Sequence, residues 1–76
     1  MVRVITIEAT ANDERMYVYM HYPCENYEKE KSDAIEATKI WQNDNRFTDF
    51  KVVLRDCDMD MGKILKINNE ISEESI

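Results

Sequence analysis

Three aspartates alternate along the chain, Asp56, Asp58 and Asp60, and their spacing is the first feature that could support chemistry. Carboxylates at i, i+2 and i+4 begin the pattern of a calcium-binding loop, which also needs glycine at position 6 and glutamate at position 12. Counted from Asp56, those positions hold Met61 and Ile67. The run therefore does not predict a calcium site, and we expect no metal or other cofactor.

The same three aspartates have a second interpretation. In an extended segment alternate side chains point to the same side, about 6.6 Å apart. Such a row has the scale of the phosphates along a DNA strand, which advance about 3.4 Å each along the axis. Other carboxylates could lengthen or flank the row: Glu70, Glu73, Glu74, Asp44 and Asp49. We expect these residues to form an acidic partner-binding array.

The single histidine and the two cysteines are the remaining candidates for chemistry. His21 and Cys24 have the spacing of a zinc-ligand pair, but structural zinc usually needs a second close pair, and only the isolated Cys57 is left. A Cys–His nucleophile would have to use His21, and no third group to orient it is evident. We therefore expect no catalytic site. Whether Cys24 and Cys57 form a disulfide is left open.

Charge is the strongest compositional signal. The 76 residues include 16 acidic and 10 basic side chains, a net charge of −6. Residues 56–76 contain six acids and only two bases. Such a surface repels nucleic acids and anionic membranes and attracts basic protein surfaces. The length fits one domain, and the absence of a signal-peptide or membrane-spanning stretch predicts a cytoplasmic protein.

One helix is predicted to organise the fold. Ala34, Ala37, Thr38 and Trp41 follow the i, i+3, i+4, i+7 spacing of a helix face, and Ser32 is a suitable N-cap. We expect the helix over 32–43, with its Trp41 side covering a sheet. Residues 26–31 could extend this helix or form a loop.

Alternating apolar and polar residues predict four strands around the helix, and the short connection between the first two predicts a hairpin. The fold class is α+β, in the order β-β-α-β-β, with one helix packed on a small antiparallel sheet. The predicted strands are 2–9, 15–22, 47–55 and 63–67. The single domain spans 1–76, with an ordered core over 2–67 and a polar tail over 68–76 that we expect to fray.

The first hairpin has apolar groups on both faces, so one face could remain exposed. Ile5, Ile7, Tyr17 and Tyr19 form that candidate contact face. The alternative function is therefore a small homodimeric structural or regulatory module that associates through this face.

In size, charge, reduced cysteines and predicted tyrosine-bearing sheet, the chain resembles the small acidic proteins that bacteriophages make to take over the host cell. The residues that carry the resemblance are Asp56, Asp58, Asp60, Glu70, Glu73 and Glu74. Within that group it is similar in kind to phage inhibitors of the histone-like nucleoid protein HU. The resemblance implies a DNA mimic that occupies the basic DNA-binding surface of a host protein and does not itself bind nucleic acid.

Overall fold

Two β-hairpins and an intervening helical segment build the molecule. The computed structural model describes all 76 residues. Its elements are β1 (Val2–Ala11), β2 (Glu14–His21), α1 (Tyr27–Ala37), α2 (Lys39–Gln42), β3 (Thr48–Asp60) and β4 (Lys63–Ser75). The strands form one antiparallel sheet in the order β2-β1-β3-β4. The predicted α+β class and β-β-α-β-β order are confirmed, with α2 as a short continuation after α1.

Both hairpins close through two-residue turns in the left-handed region. Asn12 and Asp13 have φ values of 54° and 63°, and Met61 and Gly62 have φ values of 50° and 79°. Turns of this hand match the twist of the flanking strands, and Asn, Asp and Gly adopt them at low cost. The second turn places a methionine where a small residue is usual, so the tip of this hairpin is an exposed apolar point.

The hydrophobic core lies on the side of the sheet that α1 covers, here called the helix face. Ile5 and Ile7 of β1 stand opposite Leu54 and Val52 of β3. All four are buried, and Cys24 and Ala34 pack against them. The small side chain of Ala34 allows α1 to lie close to β1, and this contact fixes the helix on the sheet.

The helix begins earlier than predicted. Asn26, not Ser32, is the N-cap, and its side chain accepts a hydrogen bond from the Lys29 backbone N–H at 3.2 Å. The predicted inward face is also interrupted, because α1 ends at Ala37 and Trp41 belongs to the separate α2. Thr38 is buried as predicted, but Trp41 is 38% exposed and does not close the core.

A β-bulge in β2 separates the two tyrosines expected to share a face. Tyr19 pairs with Ile7 and Tyr17 pairs with Glu8, so Val18 is the extra residue. Val18 and Tyr19 both pack on the core, while Tyr17 lies on the opposite side of the sheet. The predicted exposed Ile/Tyr face was therefore wrong, because Ile5 and Ile7 are fully buried beneath α1.

The expected frayed tail is the second half of β4. This strand continues to Ser75, and the Ile76 backbone N–H donates to the Phe50 carbonyl oxygen at 3.1 Å. Polar residues form a strand here because their backbone groups pair with β3, while most of their side chains stay exposed. Likewise β3 continues beyond its predicted end at Arg55 as far as Asp60, so all three aspartates of the row lie within a strand.

The second side of the sheet, here called the open face, has no helix above it. Val4, Thr6, Val53 and Cys57 on this face are nevertheless almost completely buried. Edge strands β2 and β4 both line a single groove on this side. This shared groove indicates that the sheet curls toward the open face. Neither helix is long and apolar enough to cross a membrane.

Candidate functional site

The three aspartates of the row occupy one side of β3, as the sequence predicts for an extended segment. β1 pairs with β3 only as far as Cys57, so the end of the β3–β4 hairpin projects beyond the rest of the sheet. This projection, residues 58–67, is here called the hairpin arm. Alternation along β3 puts Asp58 and Asp60 on the side of the arm that corresponds to the helix face.

Intramolecular contacts neutralise part of this row. The Arg3 Nε donates to an Asp56 carboxylate oxygen at 3.1 Å. Asp58 accepts from the Asn68 side-chain amide at 3.1 Å and lies 3.7 Å from the N-terminal amine. Asp60 alone has no cation within 4.0 Å. The outward charge of the row is therefore concentrated toward the tip of the arm.

The other five carboxylates of the predicted array do not join the row. Pairing with β3, with a register shift between them, puts Glu70 and Glu73 on the open face and Glu74 on the helix face. Each of the five has an ion-pair partner: Arg55 with Glu70, Lys51 with Glu73, Lys31 with Glu74, Arg46 with Asp44, and Arg15 with Asp49. The single array inferred from sequence is therefore divided between separate regions.

These pairs stabilise the ionised carboxylates. The Lys51 ammonium lowers the pKa of Glu73, and Lys31 together with the Tyr27 hydroxyl lowers the pKa of Glu74. Hydrogen bonds from the Arg46 side chain and backbone lower the pKa of Asp44 to about 2. Glu73 and Glu74 therefore act first as internal tethers that join β4 to β3 and to α1, whereas Asp44 is held within its own loop.

A charged cluster on the open face was missed by the sequence analysis. The Arg55 guanidinium lies 2.7 Å from Glu8 and 3.6 Å from Glu70, and Arg15 lies 3.9 Å from the other Glu8 oxygen. The side chains of Arg55 and Glu8 are only 11% and 12% exposed. The sequence does contain a signal for this cluster: Glu8 occupies a position in β1 where the alternation calls for an inward-facing residue. A charged side chain that faces inward requires a partner.

Glu30 is the centre of a second polar cluster, between the end of β2 and the start of α1. One carboxylate oxygen accepts from the backbone N–H groups of Glu25 and Asn26, each at 2.8 Å, and the other lies 2.8 Å from His21 Nε2. Backbone hydrogen bonding at Asn26 is the main reason that the pKa of Glu30 is lowered. Glu30 thus completes the N-cap of α1 and joins it to β2.

Cys24 adjoins this cluster but does not have the properties of a nucleophile. Burial, and then its hydrogen bond to Glu30, raise the pKa of the Cys24 thiol to about 11. The thiolate is the reactive form, so this thiol is protonated at neutral pH and unreactive. No group of three or more His, Cys, Asp and Glu side chains has an arrangement that could hold a metal ion.

The positions of Cys24 and Cys57 show that they do not form a disulfide. Cys24 packs into the core on the helix face, whereas Cys57 pairs with Val2 in the row of side chains on the open face. The sheet lies between the two sulfur atoms, and both cysteines are free. Burial raises the pKa of the Cys57 thiol as well.

An acidic groove of about 600 Å³, here called the α1 groove, runs beside the Glu30 cluster. Its lining comprises Tyr19, His21, Pro23, Glu25, Asn26, Lys29, Glu30 and Asp33. Burial, and then the negative charges of Asp33 and Glu30, raise the pKa of Tyr19. Glu25 has no ion-pair partner. This groove therefore has excess negative charge that the sequence analysis did not locate.

A second groove, of about 530 Å³ and here called the apolar groove, separates β2 from the hairpin arm. Its lining comprises Tyr17, Met20, Gly62, Lys63, Ile64, Leu65, Lys66 and Ile67. Its two walls come from opposite edges of the sheet, and only the curl of the sheet brings them together. No local sequence pattern marks such a site.

Comparison with known proteins gives no relative. No protein-family model, curated protein or solved structure matches the chain. The arrangement of charge and apolar surface described above is therefore the basis for a functional proposal.

Proposed function

We propose that the protein is a non-catalytic acidic binding protein that occupies a cationic, DNA-binding surface on another protein, in the manner of a bacteriophage DNA mimic. One observation carries the proposal. Nearly every cation of the chain is already held by one of its own carboxylates, so the field that a partner meets is negative. Both cysteines are free, which supports a reducing, cytoplasmic location.

The ion pairs make this observation specific. All four arginines and four of the six lysines lie within 4.0 Å of a carboxylate. The exceptions are Lys63 and Lys66 in the hairpin arm. Five carboxylates have no ion-pair partner: Asp13, Glu14, Glu25, Glu28 and Asp60.

This distribution disfavours nucleic acids and anionic membranes as direct ligands. Binding to phosphates relies on lysine and arginine side chains that are free to displace counterions. A negative field instead accelerates association with a cationic protein, and the attraction weakens as salt is added.

Two regions could form the contact. The first is the row at the hairpin arm, where Asp58 and Asp60 are spaced along an extended strand. The second is the α1 groove, which Tyr19 and Glu25 line together with Asp33, whose carboxylate is paired with Lys29 at 3.0 Å. An arginine or lysine side chain of the partner could enter this groove, pair with the free Glu25 carboxylate and pack on the aromatic ring.

Competition for DNA tests the proposal. Fluorescently labelled duplex DNA is bound to a purified HU-type nucleoid protein, then to each member of a small panel of other basic DNA-binding proteins. We expect this protein to displace the DNA from at least one of them at about 50 mM salt and to lose that ability as salt approaches about 0.5 M, where the Debye length is only a few Å. The proposal is contradicted if DNA is displaced from no member of the panel at low salt. Equal affinity for lysozyme, a cationic protein without a dedicated DNA-binding surface, would also contradict it.

Three variants of equal charge change locate the contact. Asp56→Asn/Asp58→Asn/Asp60→Asn neutralises the row, and Glu25→Gln/Glu28→Gln/Asp33→Asn neutralises the start of α1. Asp13→Asn/Glu14→Gln/Glu36→Gln is the matched control at exposed positions elsewhere. Loss of three contacts predicts a reduction in affinity of about tenfold or more for the region in use. Equal reduction by all three variants would show that only net charge matters and would reject a defined contact.

A further inference from the structure

We propose that two copies of the chain associate through the apolar groove and the hairpin arm, each arm packing against the groove of the other copy. The surface lies outside the α1 groove and shares with the row only Asp60, at the tip of the arm. It rests on the apolar exposure of this surface and on its local charges.

Exposed apolar side chains are concentrated here. Met61 at the arm tip is 93% exposed and Leu65 is 66% exposed, and Ile67 and Tyr17 are also exposed. Tyr17, Leu65 and Ile67 line the groove, and Met61 adjoins it at Gly62. Scattered exposed apolar residues are ordinary, but a contiguous patch with contributions from two strands is typical of an interface.

The unpaired charges of the arm are self-complementary. Asp60, Lys63 and Lys66 are the arm residues whose charges have no ion-pair partner within 4.0 Å. They are one acid and two bases within seven residues of one hairpin. In a two-fold dimer any contact between residues i and j occurs twice. Asp60 of each copy can therefore meet Lys63 or Lys66 of the other, and the patch that forms the interface has no excess of negative charge.

Addition of a partner strand to the β4 edge is a weaker explanation for this surface. β4 has register shifts opposite Leu54/Arg55, Asp56/Cys57 and Asp58/Met59. Such bulges interrupt the regular row of free N–H and C=O groups that an added strand would need. Side-chain packing between two arms does not require a regular edge, and it uses the apolar residues that are exposed.

The oligomeric state tests the proposal directly. Sedimentation equilibrium of the full chain between about 1 and 500 µM at 150 mM salt is expected to show a monomer–dimer equilibrium. A single species of about 9 kDa throughout that range would overturn the proposal, since the chain mass is 9.1 kDa.

Two matched variants locate the interface. Leu65→Glu is expected to weaken the dimer by at least tenfold, because it places a charge inside the apolar contact. Ile40→Glu changes a residue that is 79% exposed on α2, outside both grooves, and should leave the dimer unchanged. Equal weakening by both variants, or by neither, would overturn the proposed interface. Circular dichroism confirms that each variant is folded.

A charge exchange tests the polar contacts. Asp60→Lys and Lys66→Asp are each expected to weaken the dimer several-fold, because each places like charges in contact across the interface. The double variant Asp60→Lys/Lys66→Asp should recover most of the lost affinity. Additive losses in the double variant would show that these residues do not meet, and would overturn the proposed register of the two arms.

Salt separates this proposal from the proposed function. Two copies of net charge −6 repel at long range, so added salt between about 50 and 300 mM should strengthen the dimer. Binding to a cationic partner should instead weaken over the same range. Dimerisation that weakens with salt would contradict an apolar interface, and that result would leave the DNA-competition test unaffected.

Discussion

The two faces of the sheet are buried by different means. On the helix face, α1 covers Ile5, Ile7, Val52 and Leu54, and apolar contact completes the core. On the open face no helix is present, and Arg55 and Glu8 pack over β1 and β3 as an ion pair. A helix covers one face of the sheet, whereas the other face is covered by an ion pair and by the curl of the sheet. The edge strands beside the open face therefore remain available for binding.

This difference also separates stability from function. In the helical segment, the exposed large apolar side chains are Ile40 and Trp41 of α2. The open face ends in the apolar groove, where Tyr17 and Leu65 are exposed. A small domain has a thin core, so residues left outside it on a curled edge are available for a partner at little cost to folding.

The largest effect is expected on the helix face. Ile7→Ala should lower the free energy of unfolding by about 2–5 kcal/mol, because it removes a fully buried side chain and leaves a cavity beneath α1. Urea denaturation followed by circular dichroism measures the change. Ile40→Ala, at an exposed position on α2, is the control and should change stability by less than about 0.5 kcal/mol. A similar loss in both variants would mean that α1 does not seal the core.

On the open face, Arg55→Met should lower the free energy of unfolding by about 1–3 kcal/mol. It leaves the Glu8 carboxylate nearly buried, with only Arg15 at 3.9 Å. The double variant Arg55→Met/Glu8→Met should lose less than the single variant, because no buried charge is left without a partner. The same denaturation assay applies. A double variant as unstable as the sum of the two singles would refute the coupling of these residues.

A smaller and pH-dependent effect is expected at Glu30. Its folded pKa lies below the ordinary value of 4.5, so its contribution is complete above that pH and is lost as the pH falls through the folded pKa. Glu30→Gln should lower the thermal midpoint by a few degrees at pH 7 and make it less sensitive to pH between about 6 and 3. Parallel pH profiles for the natural chain and the variant would contradict the proposed role in capping α1.

The smallest effect on stability is expected from the row. Asp56→Asn/Asp58→Asn/Asp60→Asn should change the free energy of unfolding by less than about 1 kcal/mol, because these contacts are exposed and Asp60 has no ion-pair partner. The DNA-competition assay can then measure this variant in its folded form. A much larger loss of stability would assign the row to the structural framework.

Sequence patterns predicted the strands well where local chemistry is decisive. The alternation over 2–9 and the turn residues Asn12 and Asp13 identified the first hairpin. The preference for a strand over 63–67 was also confirmed. The sequence allows residues 26–31 to extend the helix, but the apolar pattern around Trp41 favours the later start, and only the structure identifies the Asn26 cap.

The predicted binding residues depend on distant contacts as well as on local alternation. Alternation established that Asp56, Asp58 and Asp60 share one side of a strand, and β3 has that arrangement. It could not show that Arg3, more than fifty positions away in the chain, would neutralise Asp56. Nor could it show that the bulge at Val18 would send Tyr17 and Tyr19 to opposite faces, since a bulge changes alternation without any residue that marks it.

The amino-acid sequence by itself determined the net charge, the element order and the residues able to alternate along each strand, because these depend on residue type and near neighbours. Only the tertiary structure decided which charges stay free and which apolar side chains stay exposed. Ion pairing and sheet curl join residues from distant strands: Glu8 meets Arg55, and Tyr17 comes to share a groove with Leu65.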